Sequence, residues 1–198
     1  MSRTPSHPRL YQGIILLWFV IACALGASGR LTTLRPPVPQ LVLIGLTVSL
    51  IAAGAAIPGF RVWLAGLNLR QIIALHVTRF VGIYFLILYG RGELPYAFAV
   101  PGGWGDIVVA TGALGLVLLV PDLASHRGWV MAWNVVGALD ILAVAATATR
   151  LALADPDSMG ALLRLPLSLL PTFLVPVIIA SHVLLFTRLR REAVSPAP

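Results

Sequence analysis

A chain of 198 residues that is 59% hydrophobic and only 11% charged cannot clothe a water-facing domain, where about a quarter of residues carry charge. All fourteen basic residues are arginine and the pI is near 11. No arginine-rich run lies beside an aromatic or helical reading element, so nucleic acid is not an expected partner. The single cysteine, Cys23, excludes an internal disulfide and any multi-cysteine metal or iron–sulfur site.

A mean hydropathy of +0.94 fits an all-α, polytopic membrane bundle, a single integral membrane domain over 1–198 with the lipid bilayer as its first partner. Each crossing needs about 20 apolar residues. Six segments meet that length, at about 11–28, 40–58, 71–90, 102–121, 129–150 and 167–187. The breaks between them carry loop chemistry: "GRLTTLRPPVPQ" (29–40), "PDLASHRG" (121–128) and "DPDSMG" (155–160).

The first segment follows Arg3 and Arg9, as a signal peptide would. Its apolar run continues past Cys23 as "ALGAS", so a retained helix is expected. With the N-terminus in the cytoplasm, the inner side receives Arg3, Arg9, Arg61, Arg70, Arg127, Arg188, Arg190 and Arg191. The outer side receives Arg30, Arg35, Arg91, Arg150 and Arg164. That bias favours both termini inside, with cytoplasmic tails at 1–10 and 188–198. Tyr11, Trp63, Tyr89, Tyr96, Trp104 and Trp129 fall near segment ends, where an interfacial aromatic belt sits.

The third segment, "QIIALHVTRFVGIYFLILYG", is apolar apart from a few residues that include His76 and Arg79. At 3.6 residues per turn His76, Arg79, Phe80 and Ile83 share one face, which should point into the bundle because an intramembrane arginine needs a partner. The following link, "GRGELPYAFAVPGGWGD" (90–106), reads either as an interfacial loop anchored by Trp104 or as a re-entrant loop carrying Asp106 inward. Asp106 falls early in the fourth segment on this reading.

The fifth segment sets Asn134, Gly137, Asp140 and Val144 in one stripe, with Gly137 leaving room for close approach by a backbone or a ligand. The sixth holds Pro166, Pro171 and Pro176, five apart, and His182 below them. Interior prolines free carbonyls and bend helices. "ALHV" (74–77) and "ASHV" (180–183) give a short likeness between the third and sixth segments. Ser181 cannot reach His182 within one helix, since adjacent residues point apart. Ser28 of "GASG" lies at the opposite depth from His182, which counts against a serine–histidine hydrolase.

Arg79 is expected to pair with Asp140 or Asp106. With neutral histidines, two aspartates and one arginine leave one negative charge, to be met by a proton or a bound cation. The reading that follows is a small bacterial inner-membrane protein of transporter or permease type. It would bind a small solute or proton at His76, Arg79, Asp106, Asn134 and Asp140, with Arg79 attracting an anionic group or gating an aspartate. Two alternatives stand beside it. One is a membrane-embedded enzyme holding haem b or a divalent metal on His76 and His182, though no cofactor is favoured. The other is a structural subunit or assembly factor in which the charges serve packing. A homo-oligomer or a partner in a membrane complex is compatible with each.

Overall fold

The computed structural model describes residues 8–194, with side chains as far as Arg190. Arg3, the side chain of Arg191 and the outer ends of both expected tails lie outside the described residues. Those residues form helices and turns, with no strand among them. Six helices are long and apolar enough to cross a membrane: Pro8–Ala27, Val38–Ala56, Leu69–Gly90, Tyr96–Leu119, Arg127–Ala154 and Leu170–Arg190. They correspond to the six segments read from hydropathy, with ends moved by up to six residues.

The chain packs as two compact units, residues 1–67 with 159–180 and residues 68–158 with 181–198. In the first, α1 (Pro8–Ala27) buries only Ala22 and Gly26, and α2 (Val38–Ala56) buries only Thr47. Leu16, Leu17, Val20, Leu41, Ile44 and Val48 all stand exposed. A short helix, α3 (Pro58–Gly66), stacks Phe60 and Trp63 at 5.5 Å, and Tyr11 of α1 closes on both rings at 5.1 and 5.6 Å. Gly26 lets the 165–168 stretch approach, since a Cβ there would lie 2.6 Å from Ser168 Oγ and 2.8 Å from Leu165.

The prolines of the sixth segment do not all lie inside one regular helix. Pro166 precedes the span, Pro171 belongs to a π-helical turn at Leu170–Leu174, and Pro176 lies in the first turn of α8 (Val175–Val194). Pro176 has no N–H to give the Thr172 carbonyl one turn back. That carbonyl accepts instead from the Trp18 indole, at 2.9 Å.

The second unit begins at α4 (Leu69–Ala74), which tightens into a 3₁₀ helix at Leu75–Phe80 and relaxes into α5 (Val81–Gly90). Tightening changes the buried face. Side chains three apart eclipse in a 3₁₀ helix, so burial runs His76, Arg79, Gly82, Phe85, Leu88, in steps of three. Ile83, placed on the inner face by the 3.6 period, is 48% exposed.

The Gly/Pro-rich link is mostly helix rather than loop. Helix α6 starts at Tyr96 and runs to Leu119 with Pro101 inside it, leaving only a short turn after Gly90. Trp104 is therefore the ninth residue of a helix rather than a loop anchor. Asp106 moves from the start of a span to its middle. The glycines of "PGGWGD" serve close helix packing: a Cβ on Gly103 would lie 2.8 Å from the Gly82 carbonyl, and one on Gly102 3.3 Å from Val144.

Helix α7 (Arg127–Ala154) and the C-terminal part of α8 complete this unit. Ile73, Ala113, Leu116, Val130 and Leu189 form the apolar core at one end. There Arg70 donates to the carbonyls of Val117, Val120 (2.8 Å) and Pro121 (2.9 Å), which α6 leaves without partners where it ends. The start of the third span and the end of the fourth thus share an end, as alternate crossing requires.

Candidate functional site

Three ionisable side chains meet halfway along their helices. Arg79 is the eleventh of 22 residues in Leu69–Gly90, Asp106 the eleventh of 24 in α6, and Asp140 the fourteenth of 28 in α7. Arg79 is 1% exposed and Asp106 3%. The Asp140 side chain keeps a fifth of its surface exposed.

One guanidinium serves both carboxylates. Arg79 Nε donates to Asp106 Oδ1 at 2.6 Å, Nη2 donates to Asp140 Oδ2, and Nη1 donates to the Gly137 carbonyl at 2.9 Å. Every nitrogen of the arginine is engaged within the protein. The sequence reading paired it with one aspartate or the other; here it bridges the two. Burial of an arginine is sustainable only with such partners, because removing a charge from water costs several kcal/mol.

Glycines make the bridge possible. A Cβ on Gly82 would collide with the Gly103 carbonyl and come within 2.8 Å of Asp106 Cβ, so α5 and α6 meet backbone to backbone beside the ion pair. A Cβ on Gly105 would occupy the place of the Asp140 carboxylate. α6 thus supplies one carboxylate and makes room for the other.

A second polar layer adjoins the first through Gly137. The room that the sequence assigned to Gly137 is filled by His182: a Cβ there would lie 2.8 Å from His182 Cε1 and 3.3 Å from Nε2. His182 Nδ1 meets Asn134 Oδ1 at 2.8 Å, while Asn134 Nδ2 donates to the His182 carbonyl at 3.3 Å. The second bond fixes which way the amide points, so its oxygen faces the ring and His182 Nδ1 must carry the proton. His76 lies beside it, ring centroids 4.4 Å apart, with Nε2 at 3.0 Å from Ser181 Oγ. Trp133 packs edge-on against His76 at 4.9 Å, its indole N–H held by the Val109 carbonyl at 3.0 Å.

All five residues expected to bind solute or proton lie in this one unit, in two adjoining layers. The sequence reading missed Ser181 and Trp133. Ser181 points away from its own neighbour His182 and reaches across to the histidine of another span. The likeness of "ALHV" to "ASHV" was the one available signal, and it marks the two segments whose histidines meet.

The histidines do not fit a haem. Ligation of one iron from both sides sets imidazole centroids about 6 Å apart with a porphyrin between; at 4.4 Å the rings leave it no place. Among the described residues no group of three or more His, Cys, Asp or Glu is placed to hold a metal ion.

Fold and site define an all-helical chain with six helices of membrane-crossing length and a buried arginine–dicarboxylate cluster beside a histidine pair. The chain belongs to the family described as Domain of unknown function (DUF8737), whose family model matches residues 36–190. That stretch contains every residue of the cluster and leaves α1 outside. No curated protein and no solved structure matches the chain.

Proposed function

We propose that this is a multi-pass protein of a bacterial inner membrane, both termini cytoplasmic, and that it acts as a small transporter or permease binding a proton or small solute at the Arg79 cluster. The observation that carries the reading is one guanidinium shared by two carboxylates at the middle of three apolar helices. Two negative charges against one positive leave a residual charge that an apolar setting penalises. A proton or cation arriving at Asp140, the member with exposed surface, removes that penalty. Arg79 then works as a gate on Asp140, which it holds together with Asp106 and the Gly137 carbonyl.

The membrane setting rests on the apolar side chains that α1 and α2 turn outward, far more than a water-facing surface carries. The orientation rests on the arginine count, and the compartment on the short loops and all-arginine basic set.

Protein reconstituted in liposomes and driven by a potassium diffusion potential provides the test. The wild type should acidify an internal pH dye faster than empty liposomes, and Asp140→Asn should slow that flux about tenfold or more, given a charged-group role in the pathway. Flux equal in wild type and Asp140→Asn, or absent from both, contradicts the reading.

A further inference from the structure

The histidine layer holds two buried ring nitrogens that nothing among the described residues uses. His76 Nδ1 and His182 Nε2 have no hydrogen-bond partner, although the two residues are 0% and 2% exposed. The Asn134 amide fixes the His182 proton on Nδ1, so Nε2 of the neutral ring presents a bare lone pair. That edge of the ring lies on Gly137, the residue whose carbonyl takes Arg79. The orphan nitrogen therefore sits against the ion cluster rather than apart from it.

Donors and acceptors are unequally occupied here. Each guanidinium nitrogen of Arg79 donates once, as do the Asn134 amide nitrogen and the Trp133 indole N–H, so each of these donor nitrogens has a partner. His182 Nε2, by contrast, has no partner at all among the described residues, and Asp140, whose side chain is partly exposed, keeps uncommitted lone pairs. A ligand that reaches His182 Nε2 has to donate a hydrogen bond to it. The cluster's residual negative charge asks that it be a cation. The glycines that close the helices together ask that it be small.

We propose that Asp140, His182 and His76 form a binding site for a small hydrogen-bond-donating monocation, an ammonium ion or a primary ammonium group. The inference rests on reading the cluster as a binding site and names its ligand class. Asp140 receives the cation from the exposed side. His182 Nε2 accepts a hydrogen bond that sodium or potassium, which carry no N–H, cannot supply. The site thereby distinguishes ions of equal charge.

Thermal unfolding of the detergent-purified protein tests this, with ammonium, methylammonium, sodium and potassium chlorides compared at equal ionic strength in buffer acidic enough to keep each amine protonated. A ligand that binds the folded state alone raises the unfolding midpoint. Ammonium and methylammonium should raise it in a saturable way and the two metal cations should not. Asp140→Asn and His182→Gln should each abolish the difference; the glutamine variant retains a side-chain donor for Asn134. If His182→Gln does not fold, Asp140→Asn alone decides, since it keeps the shape of the side chain. Equal shifts from all four salts, no shift at all, or an ammonium shift that survives Asp140→Asn overturns the proposal. Normal voltage-driven proton flux in a protein indifferent to ammonium would sink this ligand assignment while leaving the proposed function standing. Loss of wild-type flux would remove the function itself.

Discussion

Arg79→Leu is expected to lower the stability of the detergent-solubilised protein by about 3–5 kcal/mol, the usual cost of removing one partner from a buried ion pair. The effect should lie at the upper end because the substitution orphans two carboxylates at once. Asp106 is 3% exposed and has no other side-chain partner for its charge among the described residues, and the Gly137 carbonyl loses its side-chain donor as well. Asp140→Asn is a far milder change, since the Arg79–Asp106 pair at 2.6 Å survives and the residual charge disappears. Replacing Arg79, Asp106 and Asp140 together with apolar residues should restore much of the lost stability, as buried ionic groups generally tolerate such exchange. It should not restore proton flux. Denaturant unfolding of the three variants, followed by tryptophan fluorescence, separates these cases. A triple variant that is stable and fully active would reduce the cluster to a packing device.

The second large effect comes from a methyl group. Gly82→Ala should cost about 3 kcal/mol, the upper range for overpacking a close contact, because the new Cβ meets backbone rather than a movable side chain. It would collide with the Gly103 carbonyl and press on Asp106 Cβ at 2.8 Å. Neither α5 nor α6 can yield without parting, and parting them draws Asp106 away from Arg79. Gly90→Ala, with nothing within 4 Å of the added carbon, is the matched control. Unfolding midpoints of the two variants should differ clearly; equal midpoints would mean that the α5–α6 contact is looser than described.

The six crossings were legible because length and apolarity are collective properties of about 20 residues, which single misjudged positions do not disturb. The charges were legible for the converse reason: three ionisable residues in apolar runs stand out against the cost of placing them there. What the pattern could not carry was backbone geometry. The 3.6 period put Ile83 beside Arg79, and the 3₁₀ turn at Leu75–Phe80 turned it out and brought Gly82 in. The cluster "PGGWGD" has loop composition in water, but between apolar helices the same glycines permit backbone contact, so 96–106 became helix and carried Asp106 to mid-span. The Asn134–His182 pair was half visible, since both residues were marked but nothing local joins a stripe on one helix to a ring on another.

Those geometric shifts join two candidate ion pairs through one guanidinium, and the proposed function depends on that sharing. Infrared difference spectroscopy of the reconstituted protein, titrated from neutral towards acid in sodium buffer, reads it most directly. The account predicts a carboxylic-acid C=O band in the wild type that is missing from Asp140→Asn while the rest of the spectrum is kept. Difference spectra of the two proteins that superimpose throughout the titration would contradict it, because Asp140 would then neither take up a proton nor change its partnership with Arg79.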